Sequence, residues 1–323
     1  MDTATPPDLF YNNFLAAGSF SVTILGSSAA LPANNRNPTS QLLKADQSYY
    51  LIDCGEGTQS QMRRYHVKMQ RIKVVFISHL HGDHYFGLLG LLNSMHLLGR
   101  QAPITIVCPK MLKEIIELQT LAGGGKLQFT INYEFTDEVK GGDCPSVFED
   151  SKIQVSAFRL KHRIPCCGFI FKQQEKPLTF DAQAGKEYKV PIRQIPAIKA
   201  GADFIDENGN RVKNELLTHP SERPRTYAFC TDTLAREETI EHVRNADCLY
   251  HETTFVGSET ERAKATYHST TYEAAEIARK AEVGQLIIGH FSARYPDLEV
   301  LRREASELFP NTLLAIEGTE IFI

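Results

Sequence analysis

The sequence predicts an α/β protein in which strands and helices alternate around a layered core. Short runs of β-branched residues, such as residues 73–77, are typical of buried strands. Amphipathic segments such as residues 111–121 lie between them and are typical of helices. The 323 residues are 42% hydrophobic and 23% charged, which allows one large core or two modest ones. This alternation predicts helices packed on sheet faces.

The elements follow in chain order. Strands are predicted over residues 19–25, 48–52, 73–77, 104–107, 153–160, 168–171, 226–230, 248–251, 285–288, 312–316 and 320–323. Helices are predicted over residues 58–65, 86–98, 111–121, 237–245, 271–281 and 298–309. Residues 172–225 interrupt the alternation with scattered proline and glycine, and basic residues outnumber acidic ones in their first half. Long irregular connections are usually functional or a separate subdomain, so we interpret this segment as an inserted arm.

The bulk composition excludes several classes of protein. The net charge of −4 does not indicate a nucleic-acid partner, so binding to nucleic acid would need a local basic patch. Seven cysteines without a C-x-x-C pair argue against a thiolate zinc cage and fit reduced thiols in the cytoplasm. Residues 1–20 lack lysine and arginine, unlike a secretory signal, and residues 86–98 are too short to span a bilayer.

A cluster of metal-binding side chains is expected where predicted strands end. The run His79-Leu80-His81-Gly82-Asp83-His84 follows the buried strand at residues 73–77, and His162, Asp232 and His290 follow three other strands. Sites in α/β sheets form at the carboxyl ends of strands. Imidazole and carboxylate together suit zinc, and a carboxylate can bridge two cations about 3.5–4 Å apart. The sequence therefore predicts a two-metal hydrolase.

Several separate motifs, in this order, carry a family resemblance. They are residues 25–32 leading to Arg36 and Asn37, residues 51–59, the run from His79 to His84, His162, Asp232, His251-Glu252-Thr253-Thr254-Phe255, His268-Ser269-Thr270, and residues 290–295. They resemble the metallo-β-lactamase superfamily and, within it, the short form of the ribonuclease Z family. The Glu252 and His268 motifs separate that family from lactamases and thioesterases. The chain departs from the family pattern at Ala33 and Thr253, and the arm lacks the usual Gly-Pro signature.

The resemblance implies a metallo-β-lactamase αββα sandwich over residues 1–323, with a flexible arm at residues 172–225 that binds the tRNA elbow. It implies a zinc-dependent endoribonuclease that removes the 3′ trailer from precursor tRNA and acts as a cytoplasmic homodimer. It also implies two Zn²⁺ per subunit, the first held by His79, His81 and His162. The second is held by Asp83, His84 and His290, and Asp232 bridges them.

The resemblance assigns roles in catalysis as well. Asp83 orients the attacking water activated by the two metals, and His268, polarised by Glu252, protonates the leaving oxygen. Arg294 binds a phosphate oxygen, and Arg36 and Asn37 lie near the cleaved end. The alternative interpretations are structural: a buried carboxylate for Glu252, a helix cap for Arg294, and ordinary turn residues for Arg36 and Asn37. Asp53 is expected to orient the metal loop rather than to bind metal.

Two other functions remain open on the sequence alone. One is a different enzyme on the same scaffold, such as a small-molecule phosphodiesterase or a thioester hydrolase. The other is a non-catalytic RNA-binding relative without metals.

Overall fold

The structure is a computed structural model and describes residues 20–323. The segment at residues 1–20, which is not expected to be a secretory signal, lies almost entirely outside the described residues. The strands are β1 (Phe20–Gly26), β2 (Ser40–Ala45), β3 (Ser48–Ile52), β4 (Ile72–Phe76), β5 (Ile104–Cys108), β6 (Ile131–Phe135), β7 (Ser146–Glu149), β8 (Ile153–Leu160), β9 (Cys166–Gln173), β10 (Thr179–Phe180), β11 (Phe204–Ile205), β12 (Arg211–Val212), β13 (Thr218–His219), β14 (Thr226–Cys230), β15 (Cys248–Glu252), β16 (Leu286–Gly289), β17 (Thr312–Leu314) and β18 (Glu320–Phe322). The α-helices are α1 (Thr58–Arg64), α2 (Gly82–Leu97), α3 (Met111–Ala122), α4 (Ala182–Glu187), α5 (Ile195–Lys199), α6 (Glu237–Val243), α7 (Thr260–Thr266), α8 (Thr271–Lys280) and α9 (Glu299–Leu308).

Two seven-stranded sheets carry the fold. The first has the order β18-β1-β2-β3-β4-β5-β6 and the second the order β17-β16-β15-β14-β9-β8-β7. The strands from β3 to β6 are parallel, as are those from β14 to β17. The strands joined by short turns, such as β2 and β3, are antiparallel. Parallel neighbours bring several strand ends to one edge of each sheet, which is where a site can form.

The two sheets pack face to face through a shared core. Alternate side chains of β4 point to opposite faces: Val74 and Phe76 join the core between the sheets, whereas Val75 packs into the core beneath the helices. The Phe76 ring lies 5.4 Å from that of Phe169 and 5.0 Å from that of Phe171, both in edge-on geometry across the interface. Burial on both faces explains why β4 is continuously apolar.

Helices cover the outer faces and complete four layers. Leu88, Leu91 and Met95 of α2 pack with Leu112 of α3 against the first sheet. On the other side, α8 packs against α9 and β16. The α/β class is confirmed, and the layers form an αββα sandwich, as the resemblance implied.

Residues 173–225 form a compact unit separate from the remainder of the chain. The unit has its own small core of Ile198, Phe204, Val212 and Leu217. It contains α4, α5 and two short hairpins rather than structureless chain. The irregular sequence therefore conceals local structure, because strands of two residues leave no periodic pattern to detect.

Outside residues 173–225, three of the described strands were not predicted, namely β2, β6 and β7. The polar residues in β2 and the half-exposed faces of β6 and β7 weaken the apolar signal on which strand prediction depends. Helix α2 begins at Gly82 rather than at residue 86, and this shift places Asp83 and His84 in its first turn. None of the helices that the structure describes is both long enough and apolar enough to cross a bilayer.

Candidate metal centre

The metal loop runs directly from a buried strand into a helix. After β4 the chain passes through His79, and His81 then stands at the N-cap of α2. Asp83 and His84 lie in the first helical turn, so both side chains project from a rigid element. Gly55 packs against this loop, and a Cβ there would collide with the carbonyl oxygen of Asp83. The glycine in the motif at residues 51–59 thus permits the close approach.

One group of candidate ligands gathers three imidazoles around a carboxylate oxygen. The Nε2 atoms of His79 and His162 lie 3.0 and 3.1 Å from Nδ1 of His81. The same two Nε2 atoms lie 3.7 and 3.6 Å from Oδ2 of Asp232. A tetrahedral cation with ligands at about 2.0–2.2 Å separates neighbouring ligand atoms by about 3.3–3.6 Å. The spacing therefore fits one such cation.

A second group lies beside the first and has the same spacing. The Nε2 atoms of His84 and His290 are each 3.5 Å from Oδ2 of Asp83. They lie 3.2 and 3.1 Å from Oδ1 of Asp232. Asp232 thus directs one carboxylate oxygen to each group, which is the geometry of a bridging ligand. The structure brings all seven predicted ligands together.

The chemistry of these side chains fits a cation as well as their spacing does. The Nε2 atoms of His84 and His290 are buried, and neither makes a hydrogen bond within the described residues. Buried polar atoms are rarely left unsatisfied, so an electrophile is the natural partner. Burial lowers the pKa of His79 well below its usual value, which keeps the imidazole neutral for coordination.

Asp232 and His84 shift each other's pKa in opposite directions. Burial raises the pKa of Asp232, yet the facing His290 and His84 outweigh burial and bring it well below its usual value. Burial lowers the pKa of His84, but Asp232, Asp83 and Asp53 together raise it well above 6.5. A cation that binds His84 would therefore displace a proton.

Asp53 orients the second group, as the sequence predicts. Its Oδ2 lies 2.7 Å from Nδ1 of His84 and accepts a hydrogen bond from the Ser78 hydroxyl at 2.9 Å. Its Oδ1 accepts from the Ser78 amide at 2.8 Å. Asp53 and His290 both have left-handed backbone, with φ of 53° and 58°. Such conformations are strained for non-glycine residues and persist where the surroundings enforce them.

Replacing Asp53 with asparagine should weaken cation binding by about 10–100-fold. The carboxylate accepts the Nδ1 proton of His84 and leaves Nε2 free to coordinate, whereas an amide NH₂ there favours the other tautomer. Competition with a chromophoric chelator measures the affinity. Glu276→Gln, which changes a half-buried carboxylate on α8 that pairs with Arg279, is the matched control. An unchanged affinity in Asp53→Asn would remove the orienting role.

A second carboxylate, Glu252, organises the opposite wall. Its side chain is fully buried. One oxygen accepts from the amides of Thr233 and Ser269 at 3.1 and 3.0 Å and lies 2.9 Å from Nδ1 of His268. The other accepts from the amide and hydroxyl of Thr254 at 3.0 and 2.8 Å. Glu252 is therefore a saturated acceptor at the end of β15.

Thr254 connects this carboxylate to the metal cluster. Its hydroxyl donates to Glu252 and lies 3.0 Å from Nδ1 of His290, which can donate to it. This arrangement fixes the His290 tautomer that leaves Nε2 available. The role of Thr254 was not predicted, although the residue belongs to the motif at residues 251–255 and lies two positions after Glu252. Ala30 was also missed, and its amide donates to Oδ2 of Asp83 at 2.8 Å.

The cluster opens into a cavity of about 650 Å³. His81, Asp83, His162, Asp232 and His290 reach its surface, and His268 and Arg294 line it as well. Burial lowers the pKa of His268, but the charge of Glu252 outweighs burial and raises it to about 9. This shift favours the imidazolium form of a side chain that faces the same cavity as the candidate metal ligands.

Arg36 and Asn37 are held by other protein groups. The Arg36 guanidinium donates to the carbonyl oxygens of Ser292 and Tyr295 at 3.4 and 3.0 Å. The Asn37 side chain donates to Glu317 at 3.1 Å. Neither residue is among those that line the cavity, whereas Arg294 is. Their contacts brace the loop at residues 29–37 against the segment that follows His290.

The chain is similar to several known proteins. The family model described as Anti-Pycsar protein Apyc1 matches residues 20–194, which end before Asp232, Glu252, His268 and His290. A protein of Bacteroides thetaiotaomicron named Ribonuclease Z is 44% identical over 308 residues, covering 94% of this chain and 95% of its own length.

Two solved structures have the same fold. Human tRNase Z, short form, has a TM-score of 0.67 and 26% identity, covering 93% of this chain and 98% of its own. The metallo-β-lactamase fold protein YhfI from Bacillus subtilis has a TM-score of 0.66 at 17% identity, covering 95% and 100%, and supports the fold alone. The Bacteroides relative is similar along almost the whole length of this chain, whereas the family model ends at residue 194. The chain therefore belongs to the ribonuclease Z family of metallo-β-lactamase-fold hydrolases.

Proposed function

We propose that the protein is a zinc-dependent endoribonuclease that removes the 3′ trailer from precursor tRNA, leaving a 3′-hydroxyl on the tRNA and a 5′-phosphate on the trailer. The observation that carries this proposal is the pairing of two cation-binding groups with a Glu252–His268 dyad at one cavity. A pair of cation-binding groups is suited to phosphodiester chemistry. The Glu252–His268 dyad supplies the proton donor that a poor leaving group such as a ribose oxygen requires.

Two zinc ions fit the donor set, one at His79, His81 and His162 and the other at Asp83, His84 and His290, with Asp232 shared. When bound, such a pair lowers the pKa of a water and neutralises charge on the phosphate. Asp83 has a further task. Its Oδ2 is fixed by the Ala30 amide at the cavity wall. From there it orients the attacking water and accepts its proton.

His268 acts on the leaving side of the phosphorus. Its Nδ1 proton is held by Glu252, which directs the other ring nitrogen away from the carboxylate. Because Glu252 raises the pKa of His268 and so favours the imidazolium form, the ring can give a proton to the departing 3′-oxygen. Glu252 acts through His268 and is a positioning residue. Arg294, on the cavity wall, binds a phosphate oxygen. Arg36 and Asn37 support this wall rather than the substrate directly.

We assign tRNA-elbow binding to the unit at residues 173–225, whose phosphate contacts would weaken with salt. Excising residues 174–224 and joining the ends with a short Gly-Ser linker should raise KM for precursor tRNA. Lys172 and Thr226 are paired across β9 and β14, so a short linker can close the gap. Hydrolysis of bis(4-nitrophenyl) phosphate, which has no elbow, should be unchanged. Equal rates on precursor tRNA before and after excision would refute the assignment.

We also propose a homodimer that acts in the cytoplasm, where precursor tRNA is processed. Exposed apolar side chains support the dimer: Leu97 and Leu98 at the end of α2 are 74% and 65% exposed, and Leu118 and Leu121 on α3 are 69% and 74% exposed. Such side chains are typical of an interface. Sedimentation velocity of the purified chain would establish its mass in solution.

The decisive experiment incubates the protein and zinc with a precursor tRNA that carries a 3′ trailer, and maps both new ends. A single cut after the discriminator nucleotide, with 3′-hydroxyl and 5′-phosphate ends, is the expected result. The matched substrate is a cyclic nucleotide, because a small-molecule phosphodiesterase on this scaffold would prefer it. Faster hydrolysis of the cyclic nucleotide would overturn the proposal, and absence of bound metal would favour a non-catalytic RNA-binding protein.

A further inference from the structure

The cavity has two more arginines on its wall besides Arg294. Arg163 and Arg262 both line it, and they come from different parts of the chain. Arg163 directly follows His162, a candidate ligand. Arg262 lies on α7, in the segment that ends at His268. Neither has a role in the proposed mechanism.

Hydrogen bonds tie these two segments together. Nδ1 of His162 lies 3.0 Å from the carbonyl oxygen of Tyr267, and the Arg163 guanidinium donates to the carbonyl oxygen of Ala265 at 3.2 Å. The His268 amide donates to the Ala263 carbonyl at 2.9 Å. Arg163 and Arg262 therefore share a wall with His268.

Arg294 belongs to a different wall. Its segment is held by the loop at residues 29–37: the Asn34 side chain donates to the Ala293 carbonyl at 2.8 Å, and Arg36 donates to the carbonyl oxygens of Ser292 and Tyr295. The cavity is thus lined by guanidinium groups from two separately built walls. Only one of these walls carries the proton donor.

The two arginines retain most of their hydrogen-bonding capacity. A guanidinium has five N–H donors, and within the described residues Arg163 donates one of them, to the carbonyl oxygen of Ala265. Arg262 has an ion pair with Glu259 at 3.9 Å, and its side chain is 46% exposed. An exposed pair at this distance contributes little. A phosphate could therefore engage both groups without breaking a strong internal contact.

The position of the proton donor decides which phosphate they meet. If His268 protonates the departing 3′-oxygen, the nucleotide bearing that oxygen lies on the His268 wall. Its own 5′-phosphate is the next charge along the strand. We propose that Arg163 and Arg262 bind the phosphate on the 5′ side of the last retained nucleotide, and thereby set the polarity of the strand in the cavity. This inference rests on the proposed function.

The competing explanation is purely structural. Arg163 would then brace the carboxyl end of α7 through Ala265, and Arg262 would only pair with Glu259. Loss of either side chain would in that case disturb His268 whatever the charge on the neighbouring phosphate. The test must therefore measure how the rate depends on the charge of one particular phosphate, and not the rate alone.

The experiment uses precursor tRNAs with one uncharged methylphosphonate linkage, each compared with a phosphodiester of the same sugars. A 2′-deoxyribose precedes the linkage to keep it stable. One substrate carries it 5′ of the last retained nucleotide, and the other carries it one nucleotide into the trailer. With the unsubstituted enzyme, the first should lower kcat/KM by about 10-fold or more, because charge-assisted hydrogen bonds to that phosphate are lost.

In the double variant Arg163→Ala/Arg262→Ala, the unmodified substrate should already be slower by a similar factor. The first methylphosphonate should then cause no further loss, while the trailer methylphosphonate should act equally on both enzymes. Arg279→Ala on α8, whose side chain pairs with Glu276 at the surface, is the matched control and should behave like the unsubstituted enzyme. Unchanged metal content confirms that the double variant folds.

The outcomes separate the two proposals. If the unsubstituted enzyme does not cut the unmodified precursor, the proposed function is wrong. If it cuts, but the first methylphosphonate costs both enzymes the same factor, the phosphate contact is wrong and the function stands. If the double variant instead loses sensitivity to the trailer methylphosphonate, the assigned polarity is reversed.

Discussion

Replacing His268 with alanine should lower kcat for precursor tRNA by about 10²–10⁴-fold while leaving the bound cations in place. The imidazole lines the cavity, and Glu252 lies 2.9 Å from its Nδ1 and keeps it protonated. Metal analysis of the purified variant checks the second part of this expectation. Undiminished cleavage, or loss of metal in parallel with rate, would show that His268 is not the proton donor.

The pH dependence of cleavage provides an independent test of the same role. The reaction requires the acid form of His268, and Glu252 raises the pKa of that group to about 9 despite burial. The rate should therefore be sustained at lower pH and fall as pH rises through the pKa. Bound cations repel an imidazolium, so the decline is expected below pH 9. The alanine variant should lack this alkaline limb, and Glu252→Gln should move it to lower pH because the negative charge is gone.

Leaving-group chemistry distinguishes proton donation from a structural role. A 3′-thio linkage is informative because the 3′ atom is the leaving group, and a thiolate leaves without a proton whereas a ribose alkoxide does not. A precursor whose scissile 3′-oxygen is replaced by sulfur should be cut by His268→Ala almost as fast as by the unsubstituted enzyme. Equal impairment on oxygen and sulfur substrates would point to misplacement of the wall instead.

The sequence is most informative where the structural signal is local. The apolar run of β4 and the short spacing from His79 to His84 lie within a dozen residues, so both the strand and the metal loop could be predicted. The helix boundary could not, because Gly82 and Asp83 are weak helix formers that begin α2 only in this tertiary setting. The whole ligand set was available from the resemblance, and the structure shows that these side chains meet.

Long-range partners account for what could not be predicted. Arg36 contacts Ser292 and Tyr295 across more than two hundred residues, and Asn37 contacts Glu317 at a similar separation. The sequence around Arg36 and Asn37 does not indicate those distant partners. A side chain that binds phosphate therefore cannot be distinguished from one that supports the loop on the sequence alone. Arg163 and Arg262 are hidden for the same reason, since only the fold brings them to one wall.

Replacing Asp232 with alanine should abolish most of the activity, by at least about 10³-fold, together with at least one bound cation. A bound metal ion would contribute several kcal/mol to transition-state stabilisation, and about 1.4 kcal/mol is a tenfold change in rate. Asp232 faces both groups, with Oδ2 near His79 and His162 and Oδ1 near His84 and His290. Without the Asp232 carboxylate, each group would lose one candidate ligand. The repulsion between two bound cations would then no longer be offset by a negative charge.

The charge of Asp232, rather than its shape, should carry this effect. Asp232→Asn preserves the side-chain volume but removes the negative charge, so it should resemble alanine in activity and in metal content. Asp297→Asn, which alters an exposed carboxylate near the start of α9, is the matched control. Because ligands that bind the folded state stabilise it, zinc should raise the melting temperature of the unsubstituted protein more than that of either variant. A variant that retains two cations and the full thermal shift would show that the two groups bind metal independently, and the bridging role would then have to be abandoned.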